Sequence, residues 1–328
     1  MNALKVMWKD TRMVVLTALS AALYAAILIP FKIFPIIPGV TEIRPANAIP
    51  VVCGILFGPA GAWGSAFGNL IGDFFFGLGP GSSFGMVGNF LYGFVPYAFW
   101  RAMFGNAEPD PRKTSHWVGL LFICVVASAA CAFTIAWGID IVIHGVPFAI
   151  LGSIIFFNNL LMAVLLAPPL LFALLARVKR WGLLYTEILP AEAVARPRFV
   201  WVGVVLMTVG SLGGLAGGVG MGYGLYSQPF GLPYFIKAFK ERPAPVSEPA
   251  KSGESVEASH APAAGQGKAA GSAKVARPAA KPTGALPAVP MPATATAAAS
   301  AAAVSPRMAM GIGLLPALLL ILLGFLLL

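Results

Sequence analysis

Charged residues are scarce in this sequence. Asp, Glu, Lys and Arg make up only 10% of its 328 residues, whereas an ordinary soluble domain carries roughly 25%. Hydrophobic residues reach 58%, and several apolar runs exceed the roughly 18 to 20 residues that cross a bilayer as a helix. A water-soluble fold of this size could not bury so much apolar surface. The sequence therefore predicts an all-α integral membrane protein.

Cysteine and histidine are also rare, with three residues of each. Cys53, Cys124 and Cys131 all lie inside apolar segments, which argues against a disulfide framework and against a metal cluster. The histidines lie in interfacial or linker positions away from any carboxylate cluster, and no hydrolase, metalloprotease or ATPase motif occurs. We therefore expect no enzyme, no cofactor and no metal. The chain alone offers no motif for hydrolysing ATP.

Positive charge is plentiful, and the formal net charge is +10. The Lys and Arg residues lie in short segments between apolar runs and form no patch interleaved with aromatics, so nucleic acid is not an expected partner. If six helices alternate, eleven of these residues fall on one side, in segments 5–12, 101–113 and 177–198, and two (Lys32 and Arg44) on the other. This excess predicts a multi-pass protein of the plasma (inner) membrane with a cytoplasmic N-terminus.

The apolar runs predict about eight transmembrane helices, near 13–31, 45–57, 59–76, 84–103, 117–143, 148–176, 199–226 and 308–328. The second is short, roughly 20 Å as a helix. It must therefore tilt, be covered by other helices or begin inside the preceding loop. The pair Pro168-Pro169 should kink or break the sixth helix.

These spans divide the chain into four parts. Residues 1–180 form a six-helix core, 181–226 a cytoplasmic connector with a seventh helix, 227–307 an extracytoplasmic linker, and 308–328 a C-terminal anchor. Ala and Pro dominate the linker, which cannot bury enough apolar area to offset its ordering entropy. We therefore expect the linker to be disordered.

Polar residues of the core are the candidates for function, because charged and amide groups are costly at membrane depth and tend to face a cavity or a partner. Asn69 and Asp73 are four residues apart and share one helix face. The alternative for Asp73 is a carboxylate at the membrane interface, solvated or paired with Arg44. In the first outer loop, Glu42, Arg44 and Asn47 either contact a ligand or act as a lid, or they form only a surface ion pair of little energetic value.

Further candidates lie in later helices. Asn89, Asn158 and Asn159 can face the same cavity or hydrogen-bond across helices. The run GLGPGSSFG at 77–85 is expected to be a tight turn and not a phosphate site, since it lacks the strand and Lys of a P-loop. Small residues let helices approach closely in lipid, and they form two stripes. The first stripe, expected to pack within the chain, is Gly61, Gly64, Gly68 and Gly72. The second, which either packs or docks a partner membrane protein, is Ala18, Ala22 and Ala26.

The stretch 38–101 contains Ile49-Pro50, GILFGPAGAWG at 54–64, GNLIGD at 68–73, and GNFLYG at 88–93 followed by Pro96 and Arg101. With these motifs it resembles the substrate-specific (S) component of energy-coupling factor (ECF) transporters, most closely the riboflavin and queuosine-precursor branches. The resemblance covers roughly residues 10–180. It implies a six-helix bundle that captures a vitamin or related micronutrient from outside the cell.

The resemblance also implies partners and a site. A membrane-embedded coupling (T) component and two cytoplasmic ATPases drive uptake, while the S component topples in the bilayer. The family docks through an Ala-x-x-x-Ala stripe on helix one, which Ala18, Ala22 and Ala26 match. Its binding residues come from the first outer loop and the outer ends of later helices. Positions of that kind are occupied here by Glu42, Arg44, Asn47, Asn69, Asp73, Asn89 and Asn158.

Residues 199–328 have no place in the six-helix pattern. They could be a partner-binding module, an anchor that limits toppling or a lineage-specific addition. Other classes also remain open: a stand-alone secondary transporter, or a membrane scaffold protein tethered by its C-terminal helix. No convincing repeat supports the transporter class, and only Asp73 and Asp140 are acidic candidates on or near the spans. Aromatic residues within 74–100 could stack on a heterocyclic ligand.

Overall fold

The computed structural model describes residues 2–31, 35–37, 41–42, 44–223 and 306–328. Within these residues, eight helices have ten residues or more. They are α2 (Thr11–Phe31), α3 (Ala48–Phe57), α4 (Pro59–Phe76), α5 (Pro80–Phe104), α6 (Thr114–Trp137), α7 (Phe148–Arg180), α10 (Val200–Gly222) and α11 (Pro306–Leu327). The short helices are α1 (Asn2–Val6), α8 (Tyr185–Ile188) and α9 (Ala191–Val194). The antiparallel strands β1 (Pro35–Ile37) and β2 (Thr41–Glu42) follow α2. The predicted disorder of 227–307 lies outside the described residues.

The described helices place apolar side chains outside and polar ones inside, as a membrane requires. Val15, Leu165 and Leu319 are all more than half exposed, whereas Asn47 and Ser128 are buried. Five helical segments are long and apolar enough to cross a membrane, namely α2, α6, α7, α10 and α11 with their immediate extensions. The all-α membrane fold is therefore confirmed. The count of about eight spanning helices stays a prediction, because α3, α4 and α5 are not among these five.

Helix α3 shows how a short apolar helix is accommodated. It begins after a 3-10 turn, Pro45–Asn47, and all ten of its residues are buried. Other helices therefore cover it, and its chain enters through the preceding loop, two of the options that its length left open. Gly58 has a φ of +57°, a left-handed conformation that favours glycine. This residue lets α3 turn directly into α4.

Glycines bring α4 against α2. A Cβ placed on Gly64 would meet the Ser20 side chain, and one placed on Gly68 would lie 2.8 Å from the Ala21 carbonyl oxygen. Such short distances leave no room for a larger side chain. Packing within the chain, as expected for this stripe, is confirmed at these two positions.

One local prediction is wrong, and of the two outcomes expected at Pro168-Pro169, a kink or a break, only the break is excluded. Only residues 77–79 are non-helical in the expected turn 77–85, because Pro80 occupies the first position of α5, where its missing N–H costs nothing. In addition, Pro168-Pro169 does not break α7, which runs on to Arg180. Each proline removes one backbone hydrogen bond, but a full break within lipid would leave several more polar groups unsatisfied.

One end of the bundle carries most of the positive charge. Here Lys179 pairs with Glu108 at 2.7 Å, and Arg196 Nε donates to the Arg101 carbonyl oxygen at 2.9 Å, which joins segments 101–113 and 177–198. We call this the basic end. Four exposed tryptophans lie at the helix starts and ends that face it: Trp8, Trp117, Trp181 and Trp201. Exposed tryptophans of this kind are typical of a membrane–water interface.

Candidate ligand-binding site

A group of hydrogen-bonded side chains lies in the interior of the core, and we call it the central network. Its centre is the Tyr24 hydroxyl of α2, which lies 3.0 Å from Asn47 Oδ1 and 2.9 Å from Asn89 Oδ1. Asn47 Nδ2 donates to Asn159 Oδ1 at 2.6 Å. Tyr92 donates to the Asn159 carbonyl oxygen at 2.9 Å. All five residues are at most 4% exposed, so four separate elements meet through polar atoms.

The local structure explains why these side chains converge. Asn47 ends the 3-10 turn before the buried helix α3, and its amide makes no capping bond there, so it is free to reach α2 and α7. Tyr24 lies on the face of α2 that is turned away from the exposed Ala22 and Ala26. Asn89 is anchored by its own helix, because its Nδ2 donates to the Gly85 carbonyl oxygen at 2.9 Å.

The central network contains more acceptors than protons around Tyr24. Asn47 and Asn89 each use the amide nitrogen elsewhere, on Asn159 and Gly85 respectively. Both amide oxygens therefore face the Tyr24 hydroxyl, which has a single proton and can donate to only one acceptor at a time. Among the contacts of the described residues, one of the two oxygens is thus left without the tyrosine proton, and a further N–H or O–H could donate to it.

A second polar group, which we call the outer group, lies nearer the C-terminal end of α4. Arg44 Nη1 donates to Asn69 Oδ1 at 3.4 Å, and Asn69 Nδ2 donates to Asp73 Oδ2 at 3.2 Å. The Arg44 backbone N–H lies 3.5 Å from Asn158 Oδ1. Asn69 is buried, whereas Arg44 and Asp73 are half-buried. Asn69 therefore bridges a cation and an anion at the border between the interior and the outer loop.

The sequence-predicted residues divide between the two groups. Asn47 and Asn89 lie in the central network, and the outer group takes the remaining described members, which are Arg44, Asn69, Asp73 and Asn158. Glu42 ends β2, and its side chain lies outside the described residues. The expected shared face of Asn69 and Asp73 is confirmed by their direct hydrogen bond.

Sequence reasoning missed Tyr24 and Tyr92. A tyrosine in an apolar helix is usually explained by core packing, so neither tyrosine stood out. The available signal for Tyr24 was its position opposite the alanine stripe. Asn159 was expected either to face the cavity or to hydrogen-bond across helices, and it accepts a hydrogen bond from Asn47 in the turn before α3.

The alanine stripe itself is accessible. Ala18, Ala22 and Ala26 are all exposed on α2, while α2 packs with its other face against α3 and α4.

Two of the aromatic candidates for ligand stacking pack against another aromatic ring of the chain. Phe90 and Phe94 contact Phe325 of α11, with ring centroids 5.9 and 4.8 Å apart.

A comparison with known families places both polar groups within one matched range of the sequence. A model of the QueT transporter family matches residues 14–176, a range that includes every residue of the central network and of the outer group. Neither a curated protein nor a solved structure gives a match. Helices α10 and α11 lie outside the matched range.

Proposed function

Residues 14–176 belong to the QueT transporter family, one of the S-component families of ECF transporters, and from this premise we propose that the chain captures a small heterocyclic micronutrient. The proposed ligand is a queuosine precursor, riboflavin or a similar compound, taken up from outside the cell. A transporter family argues for capture without chemistry on the ligand, and therefore against an enzyme.

The observation that carries this proposal is the central network. Amide and hydroxyl groups are costly in the interior of a membrane protein unless they serve a ligand or a pathway. Here Tyr24, Asn47, Asn89 and Asn159 bring three helices and a 3-10 turn together around a few hydrogen bonds. Amides both donate and accept, so they suit the alternating donors and acceptors along the edge of a nitrogen heterocycle.

The unfilled acceptor beside Tyr24 narrows the chemistry of the ligand. A compound that presents an N–H donor would satisfy whichever of the Asn47 and Asn89 oxygens the tyrosine proton leaves. A compound that carries only acceptors could not donate to this oxygen. It would also bring its own acceptor into the buried site without a donor, which is unfavourable. We therefore propose that the ligand donates at least one hydrogen bond to this pair of oxygens.

The outer group supplies a charged contribution at the entrance. Asp73 can accept from a cationic or N–H donor of the ligand, and the Arg44 guanidinium can donate to an acceptor of the ligand. Phe74 and Phe75, exposed at the end of α4, are near enough in sequence to Asp73 to cover a ring from that side. These residues are the proposed entrance of the site.

Energy for uptake must come from partners, since the sequence has no ATPase motif. We propose that a membrane-embedded coupling component, driven by cytoplasmic ATPases, docks on Ala18, Ala22 and Ala26. The exposure of all three alanines supports this assignment, because small exposed residues allow a partner helix to approach closely. The proposed orientation in the plasma (inner) membrane has the basic end and the N-terminus in the cytoplasm.

The test is mass spectrometry of small molecules released from the purified, denatured protein. Asn47→Leu protein, purified in parallel, is the control that removes the central amide and so identifies compounds bound only by lipid or detergent. We expect one nitrogen heterocycle at near-stoichiometric yield in the native protein and much less in the control. A native protein that is empty, and that also ignores a panel of vitamins and queuosine precursors in binding assays, would contradict the proposal and favour an ion-driven transporter or a scaffold.

A further inference from the structure

Helices α10 and α11 lie outside the family match, yet they contact each other at backbone distance. A Cβ placed on Gly210 would lie 2.8 Å from the Ala317 carbonyl oxygen, and one placed on Gly324 would lie 2.9 Å from the Gly203 carbonyl oxygen. Gly213 of the same helix α10 has nothing within 4 Å. Gly210, which faces α11, therefore has no room for a larger side chain, whereas Gly213, which does not face α11, has room for one.

The helix pair also packs directly against the core. A Cβ placed on Gly214 would lie only 2.8 Å from the ring of Phe133 in α6. Gly218 faces Phe148 in the first turn of α7, again without room for a side chain. Near the C-terminal end of α11, the Phe325 ring packs edge-on against Phe94 of α5, with 4.8 Å between the ring centroids.

A charged contact secures the start of α11. Arg307 Nε lies 3.4 Å from Asp140 Oδ1, and Arg307 Nη1 donates to the His144 carbonyl oxygen at 3.2 Å. The Asp140 side chain is only 3% exposed, and its other oxygen accepts from the Phe148 N–H at 2.8 Å. A buried carboxylate requires such partners, so the same Asp140 joins the start of α11 to the start of α7.

A second charged contact secures the opposite end. Arg101, at the basic end of α5, is 2% exposed. Its Nη2 donates to the Leu328 backbone oxygen at 2.7 Å, and its Nη1 donates to the Tyr97 hydroxyl at 2.8 Å. A buried guanidinium is costly without acceptors, and one of its two described acceptors belongs to the residue that follows α11.

We propose that α10 and α11 are integral helices of the substrate-binding unit, fixed along its α5–α6–α7 side by close glycine packing and by Arg101 and Asp140 at the two ends. The pair therefore moves with the core. It is not a flexible tether from which the core swings. It also leaves Ala18, Ala22 and Ala26 exposed, so its presence is compatible with a coupling partner on α2. This inference does not depend on the identity of the ligand.

A disulfide cross-link tests the position of α11. The Cβ of Ile141 lies 3.7 Å from the Cβ that Gly311 would carry, within the 3.5 to 4.5 Å that disulfides span. The full chain with Ile141→Cys, Gly311→Cys and a protease site inserted between Gly265 and Gln266 is oxidised in native membranes and then cut. We expect one uncut-size band on a non-reducing gel and two fragments after reduction.

The matched control pairs Ile141→Cys with Gly313→Cys, since Gly313 faces Met221 of α10. This control should give two fragments under both conditions. Absence of the cross-link in the Gly311 variant, or an equally strong cross-link in the Gly313 control, would overturn the proposed docking.

Co-purification after the cut tests the same proposal without new cysteines. With an N-terminal tag and mild detergent, we expect residues 266–328 to stay with the core in the native protein and in Gly213→Leu. Gly210→Leu should release at least half of the fragment, because a leucine cannot fit against Ala317. Arg307→Glu should also weaken retention, and the conservative Arg307→Lys should restore it. Release from the native protein, or equal retention in Gly210→Leu and Arg307→Glu, would contradict an integral helix pair.

Discussion

Two interfaces hold distant parts of this chain together, and they use different chemistry. The central network joins α2, the 3-10 turn before α3, α5 and α7 through side-chain hydrogen bonds. The interface between the core and the pair α10–α11 is formed in its middle by glycine and aromatic contacts, with charged contacts at its two ends among the described residues. Even the buried Ser211 of α10 makes no side-chain hydrogen bond.

The difference shows that this protein does not need interior amides in order to pack helices. Close packing of small residues suffices for α10 and α11, as is common in lipid, where dispersion replaces the hydrophobic drive. The amides of the central network carry a desolvation cost that packing alone does not require. Ligand binding is the function that we propose for them, and the predictions that follow change one interface while leaving the other intact.

The largest effect is expected from Asn47→Leu. This change removes the amide that links Tyr24 to Asn159, and it leaves the side-chain oxygen of Asn159, Oδ1, without its described donor. The Tyr24 proton then satisfies the Asn89 oxygen, so no acceptor of this pair remains for the donor of the ligand, and ligand affinity should fall by about 100-fold or more. Isothermal titration with the compound identified by mass spectrometry measures the effect. The control is Asn106→Leu, an exposed asparagine at the basic end, for which affinity should not change.

A smaller loss is expected from Asp73→Ala in the outer group. If this carboxylate makes a charge-assisted hydrogen bond to the ligand, its removal should weaken affinity by about tenfold or more. Asp110→Ala, at the opposite end of the bundle, is the matched control in the same titration. Unchanged affinity in Asp73→Ala would remove Asp73 from the site and restrict ligand contact to the central network.

Ala22→Leu should separate capture from uptake. Ala22 is exposed on the face of α2 that is turned away from Tyr24, so ligand affinity should stay within about twofold of the native value, less than 0.5 kcal/mol. Uptake by cells that express the coupling partners should fall by about tenfold, because a larger side chain prevents close helix approach. Ala309→Leu, on the exposed side of α11, should leave both quantities unchanged. Normal uptake in Ala22→Leu would exclude this stripe as the docking surface.

The positions of the helices could be predicted from the sequence because lipid demands long apolar runs. The start of α5 was placed four residues late, since Pro80, Gly81 and the serines that follow are typical of turns. The structure uses them as a helix start instead, with Ser82 accepting from the Gly79 N–H.

The candidate site was only partly predictable, for a different physical reason. Spacing along one helix was enough to pair Asn69 with Asp73. Spacing could not show that α7 is rotated to bring Asn159 to Asn47 while Asn158 faces Arg44, because that depends on packing between helices. The same limit applies to Arg101, whose contact with Leu328 spans 227 residues of sequence.

The smallest effect on affinity is expected from Tyr24→Phe. Without the hydroxyl, both the Asn47 and the Asn89 oxygens lack its proton, so the ligand-free protein should lose about 1 to 2 kcal/mol of stability. The ligand would still fill one of these oxygens, so its affinity should change by less than about threefold. Thermal unfolding with and without ligand measures both quantities, and Tyr223→Phe, an exposed tyrosine at the end of α10, is the control. A loss of affinity above about tenfold would instead mean that the Tyr24 hydroxyl itself contacts the ligand. The hydrogen-bond donor of the ligand would then bind another acceptor of the network, and not the Asn47 or Asn89 oxygen.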